Sequence, residues 1–238
     1  MFCKCKGIVL QSIKYGETSL ISKILTEQMG VVSFMIKGVR SKGKSNKASL
    51  FQPGTLLDLD FQYNSTKNLQ YYKDVKRSHI YQTLPFEIVK SSLMQFVLEV
   101  IAATHIDHQS NEEEFDFLYN QFLYLDASTP DSLFPIRFLI NYSHYLGFSP
   151  DNNSNNEYQY FDLRNGSFQK TIEGNLYALS AEESKWLNAL LSSDTIPDSL
   201  HVKQNRLELL KKLILYYTYH IENFKTLNSH LVYGDIFA

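Results

Sequence analysis

The chain has 238 residues, of which 44% are hydrophobic and 20% charged, with a net charge of −2. This composition excludes a wholly disordered chain, and the length allows one large domain or two modest ones. No run approaches 18 apolar residues and the start MFCKCKGIVLQSIKYGE has no apolar stretch of signal-peptide type. Neither a membrane span nor an export signal is expected, and the expected location is the cytoplasm.

The near-neutral total hides two opposite halves. Residues 1–78 hold 13 Lys/Arg against 5 Asp/Glu, net +8, while residues 79–238 hold 10 against 20, net −10. An asymmetry of this size points to a basic module with a polyanionic partner.

The first half reads as strands. GIVLQSI (7–13) and SLISKILT (19–26) flank turn material at Tyr15-Gly16-Glu17. VVSFMIK (31–37) alternates Val32, Phe34 and Ile36 against Ser33, Met35 and Lys37, and TLLDLDFQY (55–63) alternates Leu57, Leu59, Phe61 and Tyr63 against Asp58, Asp60 and Gln62. LQYYKDVK (69–76) supplies a fifth strand. Period-two alternation predicts half-buried strands, and five of them in under eighty residues suggest a five-stranded OB-fold barrel. Cys3 and Cys5 would share a strand face as reduced thiols, because no second Cys/His pair lies near enough to complete a metal site.

Between the third and fourth strands, KGVRSKGKSNK (37–47) gathers Lys37, Arg40, Lys42, Lys44 and Lys47 with no acid. Taken alone, such a segment suits nucleic acid, an anionic membrane or a solvated tip. Gly38 through Ser45 also fit G-x-x-x-x-G-K-[ST]. A P-loop, however, joins a parallel strand to a helix, and Pro53-Gly54 stops any helix within about two turns. We read the match as accidental, and no enzymatic motif is found. In the same half Tyr15, Tyr71 and Tyr72 are candidates for stacking on bases, whereas Phe34 and Tyr63 are expected in the core.

From residue 79 the period changes to that of helices. Phe86, Val89, Leu93, Phe96, Val97, Val100 and Ile101 form one stripe, and Phe115, Leu118, Tyr119, Phe122 and Leu125 another. Glu112–Glu114 are read as matching a helix dipole, and His105 and His108 as surface residues. A third helix covers 133–148, stopped by Gly147 and Pro150. Ser180 and Glu183 have capping-box spacing before a fourth. Leu207, Leu210, Leu213, Ile214, Tyr217, Ile221 and Phe224 face inward from a last helix over 206–224. A polar loop and a hairpin turning on Asn165-Gly166 fill residues 149–172. The expected architecture is therefore α+β: a barrel domain over 1–78 and a helical domain with a hairpin insert over 79–238.

Particular motifs add to this. Tyr15-Gly16-Glu17-Thr18-Ser19, Thr26-Glu27-Gln28-Met29-Gly30, Lys37-Gly38-Val39-Arg40 and Gln52-Pro53, followed later by YLGFSP (145–150), resemble the bacterial RecO family of recombination mediators. The resemblance implies an N-terminal OB-fold, a helical C-terminal domain, binding of single- and double-stranded DNA without enzymatic activity, strand annealing, and a nucleoid-associated cytoplasmic location. It implies RecR as a partner and RecA as an indirect one, loaded at gaps covered by single-strand binding protein. On this basis Lys37, Arg40, Lys42, Lys44 and Lys47 are candidate DNA contacts, extended by Lys4, Lys6, Lys14, Lys73, Lys76 and Arg77. Arg206, Lys211 and Lys212 are candidates for docking the acidic tail of single-strand binding protein. Many members carry a four-cysteine zinc motif after the YLGFSP position, but DNNSNNEYQYFDLRNGSF has no cysteine, so neither zinc nor another cofactor is expected. The residues alone leave an RNA-binding OB protein as the alternative.

Overall fold

In the computed structural model, which describes residues 1–39, 46–104, 111–155, 157–192, 194–225 and 227–229, the alternating segments form five antiparallel strands. They are β1 (Phe2–Tyr15), β2 (Ser19–Thr26), β3 (Gly30–Ile36), β4 (Leu56–Gln62) and β5 (Tyr72–Arg77), in the sheet order β3-β2-β1-β4-β5. A parallel bridge between Phe34 and Gln70 joins the two edges, giving the closed OB barrel. β1 is longer than its apolar run because its first half pairs with β4 and its second half with β2. A bulge between Val9 and Gln11 lets it turn from one partner to the other.

The barrel interior holds Val9, Ile24, Val32, Phe34, Ile36, Leu57, Leu59 and Phe61, with Cys3 and Cys5 among them. Both thiols are free, and burial, with Glu27 and Cys3 nearby, pushes Cys5 up to about 11. It is an inert thiol at neutral pH. Phe34 and Phe61 meet edge to face with centroids 5.0 Å apart. Tyr63 and Tyr72 pack partly buried against this core, and Tyr71 points outward. Met35, expected on the wet face, is also buried.

A short helix α1 (Asn46–Leu50) precedes β4. The helical stripes become α2 (Ile88–Thr104) and α3 (Glu112–Ala127). On the outer sheet face Ile8 lies in register with Leu25 and Leu56, all three buried, and α2 packs against β1. Gly54, with φ +83, presses against α2 so closely that a Cβ would lie 2.4 Å from Met94 Sδ. One expectation fails here: Phe86, placed at the head of the α2 stripe, precedes the helix and is 76% exposed.

By compactness the chain divides into units Met1–Ser128 and Thr129–Ala238, so α2 and α3 belong with the barrel, well past the change in secondary structure expected at 78/79. The second unit contains α4 (Phe134–Tyr145), the hairpin β6 (Tyr160–Asp162) and β7 (Ser167–Gln169), α5 (Ala181–Ser192) and α6 (Lys203–His220). The capping box ahead of α5 forms as expected: Glu183 N–H donates to Ser180 Oγ at 3.2 Å, and Ser180 N–H to Glu183 Oε2 at 2.8 Å. In α6 the buried face is turned from the expected stripe. Tyr216 and Leu209 are buried, and Leu207 and Ile214 are only half-buried.

Candidate nucleic-acid interface

Arg40, Lys42 and Lys44 lie outside the described residues, as do His105 and His108. Seven of the eight remaining candidate cations fall into two groups. Lys14, Lys37, Lys47 and Arg77 are exposed around α1 and the strand ends that meet it. Lys14, the penultimate residue of β1, lies in register with Leu20, which in turn pairs with Ile36, the last residue before Lys37. Val39 N–H donates to Thr18 O, bringing the chain that leaves β3 against the β1–β2 turn. On the other side of α1, Arg77 Nη2 donates to Ser49 O and Ser49 Oγ, each at 3.1 Å, and Ser12 Oγ donates to Phe51 O at 2.6 Å.

One aromatic joins this group. Tyr71 is 50% exposed, and Lys37 Nζ stands 5.0 Å over its ring. The backbone before Tyr71 is fixed by the closing bridge, in which Gln70 N–H donates to Ser33 O at 2.8 Å and Met35 N–H to Gln70 O at 2.9 Å. The buried Gln70 side chain donates in turn to Asn64 O and Lys67 O. The ring is thus displayed from a rigid seam. Tyr15, the last residue of β1, is exposed as well.

The second group, Lys4, Lys6 and Lys76, sits elsewhere. Register places Lys4 opposite Asp60 and Lys6 opposite Asp58, which also pairs with Lys76. Lys76 reaches Asp58 at 3.5 Å, Lys4 reaches Asp60 at 4.0 Å, and Lys6 lies 4.9 Å over the Tyr119 ring. With Glu27 and Asp74, these residues line a depression whose charges compensate. The expected extension of the basic surface through Lys4, Lys6 and Lys76 therefore meets carboxylates, whereas among the described residues that through Lys14 and Arg77 does not. Lys73 is exposed on β5.

The P-loop-like pattern lacks the architecture that such a loop needs. α1 ends at Leu50 and the antiparallel β4 follows. Among the described residues, no long helix follows the pattern as a P-loop requires.

The segment after β5 carries a polar node not anticipated from the sequence. Asp126, buried in α3, accepts from the backbone N–H groups of Gln82, Thr83 and Leu84 and from His79 Nε2 at 3.1 Å. Burial alone would favour its protonated form, but the bonds from Thr83, Leu84, His79 and Gln82 outweigh that and hold it well below the usual carboxylate range. Lys90, also buried, donates to Thr83 Oγ1 at 2.7 Å and to Asp126 O at 3.1 Å. The node clamps the segment after β5 onto α3.

In the second unit Arg206 is only 7% exposed, and its guanidinium donates to His201 O. It is built into the helix start and does not present itself to a partner; Lys211 is exposed and Lys212 half-buried. At the hairpin, Phe161 and Phe168 pack edge to face at 5.2 Å and Tyr160 is half-buried. Its turn is organised by Asp162, which accepts from Arg164 N–H at 2.7 Å, Asn165 N–H at 3.1 Å, Asn165 Nδ2 at 2.9 Å and Asn175 Nδ2 at 2.7 Å. A carboxylate so occupied, beside two amides and no thiol, does not suit tetrahedral zinc.

Comparison with known proteins agrees with this architecture. Residues 1–81 match the family model "Recombination protein O N terminal", and residues 85–229 match "Recombination protein O C terminal". The models thus change over between 81 and 85, whereas compactness divides the chain at 128. The chain is similar to the DNA repair protein RecO of Christiangramia forsetii, 32% identical over 243 residues, and to that of Flavobacterium psychrophilum, 31% identical over 242, with both chains fully covered in each case. It is also 32% identical over 241 residues to the RecO of Flavobacterium johnsoniae, again over the full length of both. The chain belongs to the RecO family of DNA repair and recombination proteins.

Proposed function

We propose that this protein binds DNA through the basic rim around α1 and acts without enzymatic chemistry as a strand-annealing mediator in recombinational repair. In this reading it works with RecR and helps RecA to load at gaps covered by single-strand binding protein. The observation that carries the proposal is the rim itself: Lys14, Lys37, Lys47 and Arg77 exposed on an OB barrel, with the outward ring of Tyr71 beneath Lys37. Cations meet phosphates and release their counterions, while an aromatic face accepts a base. Annealing two polyanions needs only a surface that lowers their repulsion. The helical region, net −10 from residue 79 onward, suits protein docking better than DNA, with Lys211 and Lys212 as candidate contacts for an acidic tail. The hairpin is taken to hold no resident metal.

The test is fluorescence anisotropy with labelled single-stranded DNA, duplex DNA and matched RNA over a salt series. Steeply salt-dependent DNA binding is expected, and each of Lys37→Ala and Lys47→Ala should flatten the salt slope by about one, the effect of removing one cation from a phosphate. Preference for RNA, or slopes unchanged in the double variant, would overturn the reading.

A further inference from the structure

A second feature of the first unit lies where the polybasic segment ends. Gln52, Pro53, Arg77, Tyr81, Phe86 and Met94 line an apolar pocket of about 260 Å³ between the β3–β4 connection and α2. Its surroundings expose large apolar side chains: Ile80 at 69%, Phe86 at 76% and, two residues on, Ile88 at 77%. Three such residues within nine positions are a concentration that a solvated surface does not require. The walls are firm. Tyr81 Oη donates to Gly54 O at 2.7 Å, Gly54 is pressed on Met94, and the Asp126 node fixes the backbone from Gln82 to Leu84.

We infer that this pocket receives an unstacked base of a single strand whose phosphates lie on the rim, so that single strands are held by a contact that duplex DNA cannot make. The inference rests on the DNA-binding reading above. Charge and continuity select this occupant. Arg77 belongs to both the pocket and the rim, and Ser49, its hydrogen-bond partner, lies two residues from the exposed Lys47. α1 leads within two residues into Gln52. The lining contains Arg77 and His79 and no carboxylate side chain. The nearby Glu87 is drawn to Lys90 at 3.8 Å, and Asp126 is enclosed by its own donors. The volume falls below the ~300–1,000 Å³ of sites for larger ligands and suits one ring entering from a strand. Phe86 would provide the stacking face, since an aromatic ring accepts any base irrespective of sequence. A duplex keeps its bases paired and offers the pocket nothing.

The experiment compares a labelled single strand, an abasic strand of equal length and charge, and a duplex, each with the full-length protein and with Phe86→Ala and Phe86→Tyr. Phe86 is exposed and precedes its helix, so the fold should tolerate both changes. The wild type is expected to prefer the base-bearing strand to the abasic one. Phe86→Ala should lower single-strand affinity about tenfold, within the range of one base–aromatic stack. It should leave abasic-strand affinity, duplex affinity and the salt slope as they were, and Phe86→Tyr should restore the loss. If Phe86→Ala binds the base-bearing strand as the wild type does, or loses single-strand and duplex binding together, the pocket has another role, such as holding an apolar peptide, and the inference is wrong. If the wild type binds none of the three, the DNA reading falls and the inference with it.

Discussion

Asp126 carries more structural weight than any surface charge in the first unit, because three backbone amides and a histidine converge on it. Replacing it with Asn puts an N–H donor where an acceptor is needed. Asp126→Asn should cost about 1–3 kcal/mol at pH 7, the usual penalty for an unmet buried hydrogen bond. The sign of its pH dependence follows from the lowered folded pKa. Its stabilising contribution is present in full above the unfolded carboxylate value of about 4 and is lost as pH falls below that. Urea midpoints of wild type and variant should therefore converge as the pH is lowered from 5 towards 3. A constant gap would show that the ionised form is not what the node uses.

At the scale of the element, the β6–β7 hairpin shows a turn built by one carboxylate and one glycine. Gly166 adopts φ +70, and a Cβ there would come 3.0 Å from Tyr216 Oη, so both backbone and packing resist a side chain. Gly166→Ala should cost roughly 1–2 kcal/mol from the left-handed conformation alone, read from chemical denaturation, whereas EDTA should leave the wild-type midpoint unchanged. A large shift with EDTA would mean that a metal contributes after all. The turn was legible, since Asn165-Gly166 is a dipeptide that favours a hairpin. The role of Asp162 was not, because Asn175 reaches it from a loop that the pattern leaves featureless. The buried face of α6 departs from its apolar stripe for a related reason. Tyr216 can be buried because its hydroxyl donates to Phe148 O, a partner supplied by distant chain. Periodicity weighs hydrophobicity but cannot see where a hydroxyl will be satisfied.

Across the whole molecule, the halves with opposite charge and period pointed to the barrel, the helices and the basic rim. Counting cations could not separate Lys14 and Arg77 from Lys4, Lys6 and Lys76, however, because that division depends on which strand lies beside which. The pairing of β1 has a further consequence, for assembly. Its second half finds β2 across a short turn, while residues 2–6 find their ladder only in β4, more than fifty positions later. During synthesis those residues form an open edge while most of the barrel is still to be made. Lys4 and Lys6, which compensate Asp60 and Asp58 in the finished sheet, place charge on that edge and discourage another chain from adding to it. Lys4→Val with Lys6→Val should therefore raise light scattering during refolding at micromolar concentration more than it lowers the stability of the refolded protein. Equal scattering would show that the waiting strand needs no such protection.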